Sequence, residues 1–145
     1  MELTTADRIE LHELMGRYGD VVDDRNWEVL RSIFTEDAVF EIAHLDVKLA
    51  GLDRIIGYMD TEGDHPQAHL MMNIHAEVED GSATGVRLYS RAIFPIPMRE
   101  GGGSRMVFGS YYDDVVKTTD GWRVSQRVYS SDRIDKKLST RESQR

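Results

Sequence analysis

In residues 11–34 and 52–59 the apolar positions of this chain recur at helical steps, and from residue 67 onward they recur at steps of two. Leu11, Leu14, Met15, Tyr18, Val21 and Val22 form one stripe at steps of three and four, which predicts an amphipathic helix. Thr4 or Thr5 is placed to cap its start, with Asp7 early in the first turn. Asp23 and Asp24 follow at the helix end, where the macrodipole disfavours a carboxylate. Asn26 is placed to cap a second, short helix that turns Trp27, Leu30, Ile33 and Phe34 to the core. Residues 35–37 read as a turn, and residues 38–42 and 47–50 as strands. Gly51 opens a third helical piece carrying Leu52, Ile55, Ile56 and Met59, and Gly63-Asp64-His65-Pro66 breaks it.

The remainder reads as β. Residues 67–79 alternate, and Asp80-Gly81 is a hairpin signal. Residues 84–96 form a long strand ended by Pro95 and Pro97, and residues 99–104, REGGGS, a flexible connection. Residues 105–117 and 122–131 form a hairpin around Thr119-Asp120-Gly121. Helices first and long antiparallel strands after predict an α+β fold: a cone-shaped barrel with N-terminal helices packed on a strongly curved, mostly antiparallel sheet. Such a concavity is where ligand pockets form. The expected organisation is one domain over residues 1–133 and a charged tail over residues 134–145.

Composition removes several function classes. The net charge of −8 argues against nucleic acid, which needs clustered Lys and Arg. The absence of cysteine removes disulfides, thiolate metal sites and Cys nucleophiles. No apolar run approaches membrane-spanning length, and the polar, acidic N-terminus is not a signal peptide, so a cytoplasmic location is expected.

Two stretches hold candidate chemistry. The corner at residues 18–38 carries the adjacent acids Asp23 and Asp24 between aromatic residues, and these acids read equally as a solvated helix end. In residues 67–79 the period of two puts Ala68, Leu70, Met72, Ile74, Ala76 and Val78 on one face. That face is wholly apolar and calls for cover by helices or another subunit. His69, Met71, Asn73, His75 and Glu77 share the other, which reads as a pocket lining or as a plain solvated surface; a β-bulge would exchange the faces partway. His65 and His69 have a metal-like spacing, but Pro66 opposes a helix between them. If extended, the two stand about 13 Å apart at roughly 3.3 Å per residue, too far to share an ion. No metal and no cofactor is expected.

With these features in place the chain resembles the SnoaL-like branch of the nuclear transport factor 2-like superfamily. The resemblance runs from the first helix to Tyr129. It rests on Y-x4-D-D-R-x-W-x2-L-x3-F-T-x-D-A from Tyr18, on Gly51, on H-L-x2-N from His69, on the strand YYDDVVK and on DGWR before the last strand. The branch includes dehydratases, dehydrochlorinases, ketosteroid isomerase-like proteins and polyketide cyclases. Its dehydratase members pair a strand histidine with an aspartate or tyrosine of the first helix. By that resemblance Asp23 corresponds to the aspartate, from its spacing to Leu30, Ile33 and Phe34, and His69 to the histidine, from the Asn73 that follows.

The resemblance implies a cofactor-free lyase or isomerase, dehydratase-like, in which His69 is the general base and Asp23 holds its second ring nitrogen. Tyr18, Asn73, Arg127 and Tyr129 are candidate donors to a developing oxyanion. For Arg127 and Tyr129 a cross-strand ion pair and a packed aromatic read equally well. Leu14, Met15, Val22, Trp27, Phe40, Ile56, Met59, Met71, Phe94, Val107 and Phe108 are the pool for apolar walls. The implied partner is a hydrophobic, ring-containing small molecule of the steroid, polyketide or terpenoid class, on a homodimer or homotrimer. Two alternatives stand beside this reading. One is a non-catalytic ligand-binding or assembly module, since fold does not fix function. The other is an epoxide hydrolase-type enzyme, which needs two acids flanking an arginine, with Asp23, Arg91 and Asp113 as nominees.

Overall fold

The computed structural model describes residues 1–61, 65–80, 82 and 84–131. Two α-helices, α1 (Thr5–Asp23) and α2 (Leu52–Thr61), precede most of the sheet, with short 3₁₀ turns at Trp27–Ser32 and Ala43–Leu45. The strands are β1 (Phe34–Ile42), β2 (Val47–Ala50), β3 (Leu70–Val78), β4 (Val86–Pro97), β5 (Ser104–Thr118) and β6 (Gly121–Ser130). They make one sheet in the order β2-β1-β6-β5-β4-β3, antiparallel throughout except for the parallel pair β1–β6. The fold is therefore α+β, with N-terminal helices on a mostly antiparallel sheet, as the change of period predicts. The Gly63-Asp64 break, Gly81 of the hairpin signal and the boundary between domain and tail lie outside the described residues.

Helix α1 is fixed at both ends. Thr4 accepts from the Asp7 backbone N–H at 3.1 Å, and the Asp7 carboxylate accepts from the Thr4 N–H at 3.0 Å, which closes a capping box. The other Asp7 oxygen accepts from Lys117 Nζ at 2.6 Å and Trp122 Nε1 at 3.0 Å, so the helix start is tied to the β5–β6 hairpin. At the far end Asn26 N–H reaches the Val21 carbonyl at 2.9 Å and Arg25 N–H the Val22 carbonyl at 3.2 Å, with Arg25 in the left-handed region at φ 53°. This is a Schellman closure. It corrects the expected cap: Asn26 ends the first helix through its backbone and makes no side-chain cap to the 3₁₀ turn.

Bulges set which residues face inward. The pairing of β3 with β4 steps from Met72↔Arg91 to His75↔Tyr89, so β3 carries one extra residue, with Asn73 at φ 51°. The parity of the strand changes there. Met71 lies half-buried before the bulge; after it Ile74 and Ala76 turn inward, while Leu70 and Met72 are 49% and 38% exposed. The unbroken apolar face expected from residue 68 to 78 does not exist. Residues 35–37, expected as a turn, belong to β1 at its irregular pairing with β6. Strand β4 ends at Pro97, as expected of that proline, whereas Pro95 lies inside the strand, where it pairs Met106 and its carbonyl accepts from Gln67 N–H at 2.8 Å. No helix among the described residues is long and apolar enough to cross a membrane.

Behind α1 the core holds one ion pair. Arg127 and Asp113, opposite one another on β6 and β5, are both fully buried and joined by bonds of 2.8 and 2.7 Å. Burial works against the guanidinium charge, but Asp113 overrides it and holds Arg127 ionised. Removing one partner strands the other charge out of water. We expect Asp113→Ala to cost about 3–5 kcal/mol in urea unfolding. The apolar pair Asp113→Leu with Arg127→Met should recover most of that loss, because neither charge then remains.

Candidate functional site

Gly19 is where the site begins. It lies on α1 one turn before Asp23, against the strand that follows residue 68. A Cβ built on Gly19 would stand 2.7 Å from the His69 carbonyl oxygen and 3.3 Å from Met71 Cγ. The missing side chain lets the helix end approach the chain at His69. Asp23, four residues on and therefore on the same helix face, then reaches it twice. One carboxylate oxygen accepts from the His69 backbone N–H at 2.9 Å, and the other is 2.6 Å from Nδ1. An ionised carboxylate only accepts, so Nδ1 carries the proton and Nε2 keeps its lone pair. Asp24, by contrast, is exposed.

His69 forms part of the wall of a cavity of about 360 Å³. Its ring packs edge-on to Phe94 at 4.8 Å and Tyr18 at 6.1 Å between centroids. Burial pushes the imidazole below its ordinary value near 6.5, and the Asp23 bond opposes that shift without cancelling it. Tyr18, Tyr111 and Tyr129 also line the cavity. Burial raises all three phenols, Tyr129 to about 12, so they stay neutral O–H groups at working pH. Beneath them the Arg127 guanidinium lies against both the Tyr18 and the Tyr111 ring, at 4.1 and 4.3 Å from their centroids. Gly109 makes room for Tyr129, because a Cβ there would overlap the ring.

The structure gathers only some of the residues nominated from sequence. His69, Tyr18 and Tyr129 line the cavity, and Asp23 stands behind His69. Arg127 lies under the floor, without exposure, as the partner of Asp113. Asn73 is displaced by the β3 bulge to a separate surface depression with His75 and Tyr89. Met71 packs against Gly19 instead of the cavity. Trp27 donates to Asp60 at 3.0 Å and backs onto His65, with ring centroids 6.5 Å apart. Of the proposed walls, Val22, Phe40, Met59, Phe94 and Val107 line the cavity, whereas Phe108 is on the exposed face. The nominees Asp23, Arg91 and Asp113 are not brought together: Arg91 is exposed, and Asp113 is buried on Arg127. His65 and His69 are not extended apart as expected. The chain between them is not strand, and their rings are 5.8 Å apart. Among the described residues no three His, Cys, Asp or Glu side chains converge on a common point.

Sequence reasoning missed His65 as a cavity residue, and with it Tyr111, Tyr58, His44 and Arg105. Tyr111 was within reach, since it faces Tyr129 across the β5–β6 hairpin. The count from the turn, however, slips by one where β6 holds an extra residue between Val124 and Gln126.

The SnoaL-like domain family matches residues 4–128 of this chain. The protein Rv2910c of Mycobacterium tuberculosis (strain ATCC 25618 / H37Rv) is 32% identical over 133 residues, across 85% of this chain and 84% of its own. Among solved structures, Aln2 from a Streptomyces species superposes with a TM-score of 0.73 at 17% identity, over 95% of this chain and 99% of that one. ActVI-ORFA from Streptomyces coelicolor gives 0.70 at 16%, over 86% and 96%. An NTF2-like protein with a cystatin-like fold from Novosphingobium aromaticivorans gives 0.63 at 23%, over 87% and 82%. These likenesses identify the fold as the NTF2-like cone.

Two measurements follow from the geometry. In a proton NMR titration His69 should titrate below 6.5, and lower still in Asp23→Asn, which removes the group that opposes burial. A depressed folded-state value means that the unfolded chain binds the proton more tightly. The stability contribution is then full above 6.5 and lost as pH falls below it. In a second measurement, Gly19→Ala should gain helix propensity yet lose about 1–3 kcal/mol net in thermal or urea unfolding, because its methyl meets backbone that has nowhere to yield.

Proposed function

Because the chain belongs to the family of SnoaL-like domains, we propose that its cavity binds a ring-containing small molecule and performs cofactor-free acid–base chemistry on it. The reaction class is lyase or isomerase: removal of a proton beside a carbonyl, then loss of a leaving group or a shift of the double bond. The observation that carries the reading is the 2.6 Å contact of Asp23 with His69 Nδ1 in the wall of an otherwise largely apolar cavity.

The roles follow from the protonation states. His69 Nε2 accepts the substrate proton; a histidine held below its ordinary value is neutral, hence basic, at pH 7. Asp23 fixes the tautomer and stabilises the imidazolium that forms. Tyr18, Tyr111 and Tyr129 are neutral donors for the developing enolate oxygen, and their O–H bonds lie in a setting with little water to compete. The apolar walls suit a steroid, polyketide or terpenoid skeleton.

The test is a proton-exchange screen. Ring ketones with acidic protons beside the carbonyl, 2-tetralone among them, are incubated with the protein in D₂O, and loss of the proton signal is followed by NMR. Wild type should accelerate exchange, His69→Ala should lower the rate about 10²–10⁴-fold, and Asp23→Asn by a smaller factor. Asp24→Asn, a change at an exposed carboxylate, should leave it unchanged. Undiminished rates in both His69→Ala and Asp23→Asn would leave a binding module in which the pair has no chemical role.

A further inference from the structure

The charge of the cavity is opposite to that of the protein. The chain carries 26 acidic residues against 18 Lys and Arg. Among the described residues that line the cavity there is no acid at all, while Arg105, His44, His65 and His69 are all present. Asp23 stands behind His69 with both oxygens engaged there. Among the described residues, an anion entering the cavity therefore meets N–H and O–H donors and the Arg105 guanidinium, and no carboxylate.

Arg105 is the permanent charge of that set. It lies near the start of β5 and shares the inward parity of Val107, Gly109 and Tyr111. Its side chain is exposed and makes no ion pair among the described residues, whereas Arg31, Arg87 and Arg127 are all tied to acids. The register measures its distance from the histidine. Val107 pairs Phe94, Arg105 pairs Ile96, and the Phe94 ring touches His69. Arg105 thus stands two strand spacings across and one two-residue step along from His69, about 12 Å between backbones. Between them lie the rings of Phe94 and Tyr129, with centroids 5.7 Å apart.

We propose that the ligand of this cavity is a ring compound bearing a carboxylate, held by Arg105 at the mouth with its ring on Phe94 and Tyr129 and its far edge toward His69. The guanidinium fork matches a carboxylate with two parallel bonds. An electropositive cavity in an acidic protein also concentrates such an anion where the rest of the surface repels it. The inference rests on reading the cavity as the substrate site, and it adds the charge of the substrate and the residue that reads it.

The test uses two probes of equal shape, 2-naphthoate and its neutral amide 2-naphthamide, titrated at low salt by calorimetry. Wild type should bind the acid at least about fivefold tighter than the amide. Arg105→Gln should remove that preference while leaving the amide's affinity as it was, and Arg105→Lys should keep part of it. The preference should persist in His69→Ala, in which the proposed chemistry is absent. Equal affinity for the two probes in wild type, or an undiminished preference in Arg105→Gln, overturns the carboxylate inference and leaves the acid–base reading standing. Failure of both probes to bind at millimolar concentration overturns the inference together with the substrate-site reading beneath it.

Discussion

One carboxylate joins the two halves of this molecule. Asp23 sits on the last turn of α1, where the helix dipole makes a negative charge unwelcome, and it is stabilised by the two N–H groups of His69, backbone and ring. The helix end, the entry to β3 and the orientation of the imidazole are thus set by the same side chain. The approach is close because Gly19 offers no Cβ, at the expense of about 1 kcal/mol of helix propensity relative to alanine. Under the proposed function a structural role and a chemical one coincide here. The bond that docks the helix also fixes the tautomer in which Nε2 keeps its lone pair, the state that the proposed chemistry needs.

The second layer makes the first rigid. Tyr18 rises from α1 one turn before Val22 and touches His69 on one side and the Arg127 guanidinium on the other. Arg127 in turn is gripped by Asp113 and lies against Tyr111. Charge and ring therefore alternate from the core outward, and the Arg127 guanidinium stays beneath the Tyr18 and Tyr111 rings, away from the cavity wall that Arg105 shares. Placed there, it supports two phenols that burial keeps neutral.

The fold was legible in the sequence because its signals are local. The stripe from Leu11 to Val22, Thr4 with Asp7, and the alternation after residue 67 each state their own period. What was lost is what a single extra residue changes. The bulge at Asn73 takes that side chain away from His69 and brings Ile74 and Ala76 inward, and the extra residue of β6 hides the pairing of Tyr111 with Tyr129. Spacing places Asp23 near His69 only through likeness to a family; periodicity alone leaves Asp23 and Asp24 equivalent. Burial separates them, and burial depends on the Schellman turn, in which Arg25 holds a conformation usually given to glycine. His65 was missed for a related reason. An extended chain would carry it about 13 Å from His69, but the bend after Pro66 brings the rings to 5.8 Å.

That bend also bears on how a proton would leave the site. His65 Nδ1 lies 2.9 Å from the Pro66 carbonyl, which only accepts, so His65 too carries its proton on Nδ1 and presents Nε2. Two imidazoles with the same tautomer now share one cavity, and a positive charge on His65 opposes one on His69. His69 is the more enclosed of the two and is backed by a carboxylate, which suits it to take a proton from carbon. His65 is half-buried, and under the proposed function it would be the one to exchange that proton with water. The asymmetry comes from the partners of Nδ1, an anion for His69 and a neutral carbonyl for His65, and under the proposed function it would separate the work of two chemically identical side chains.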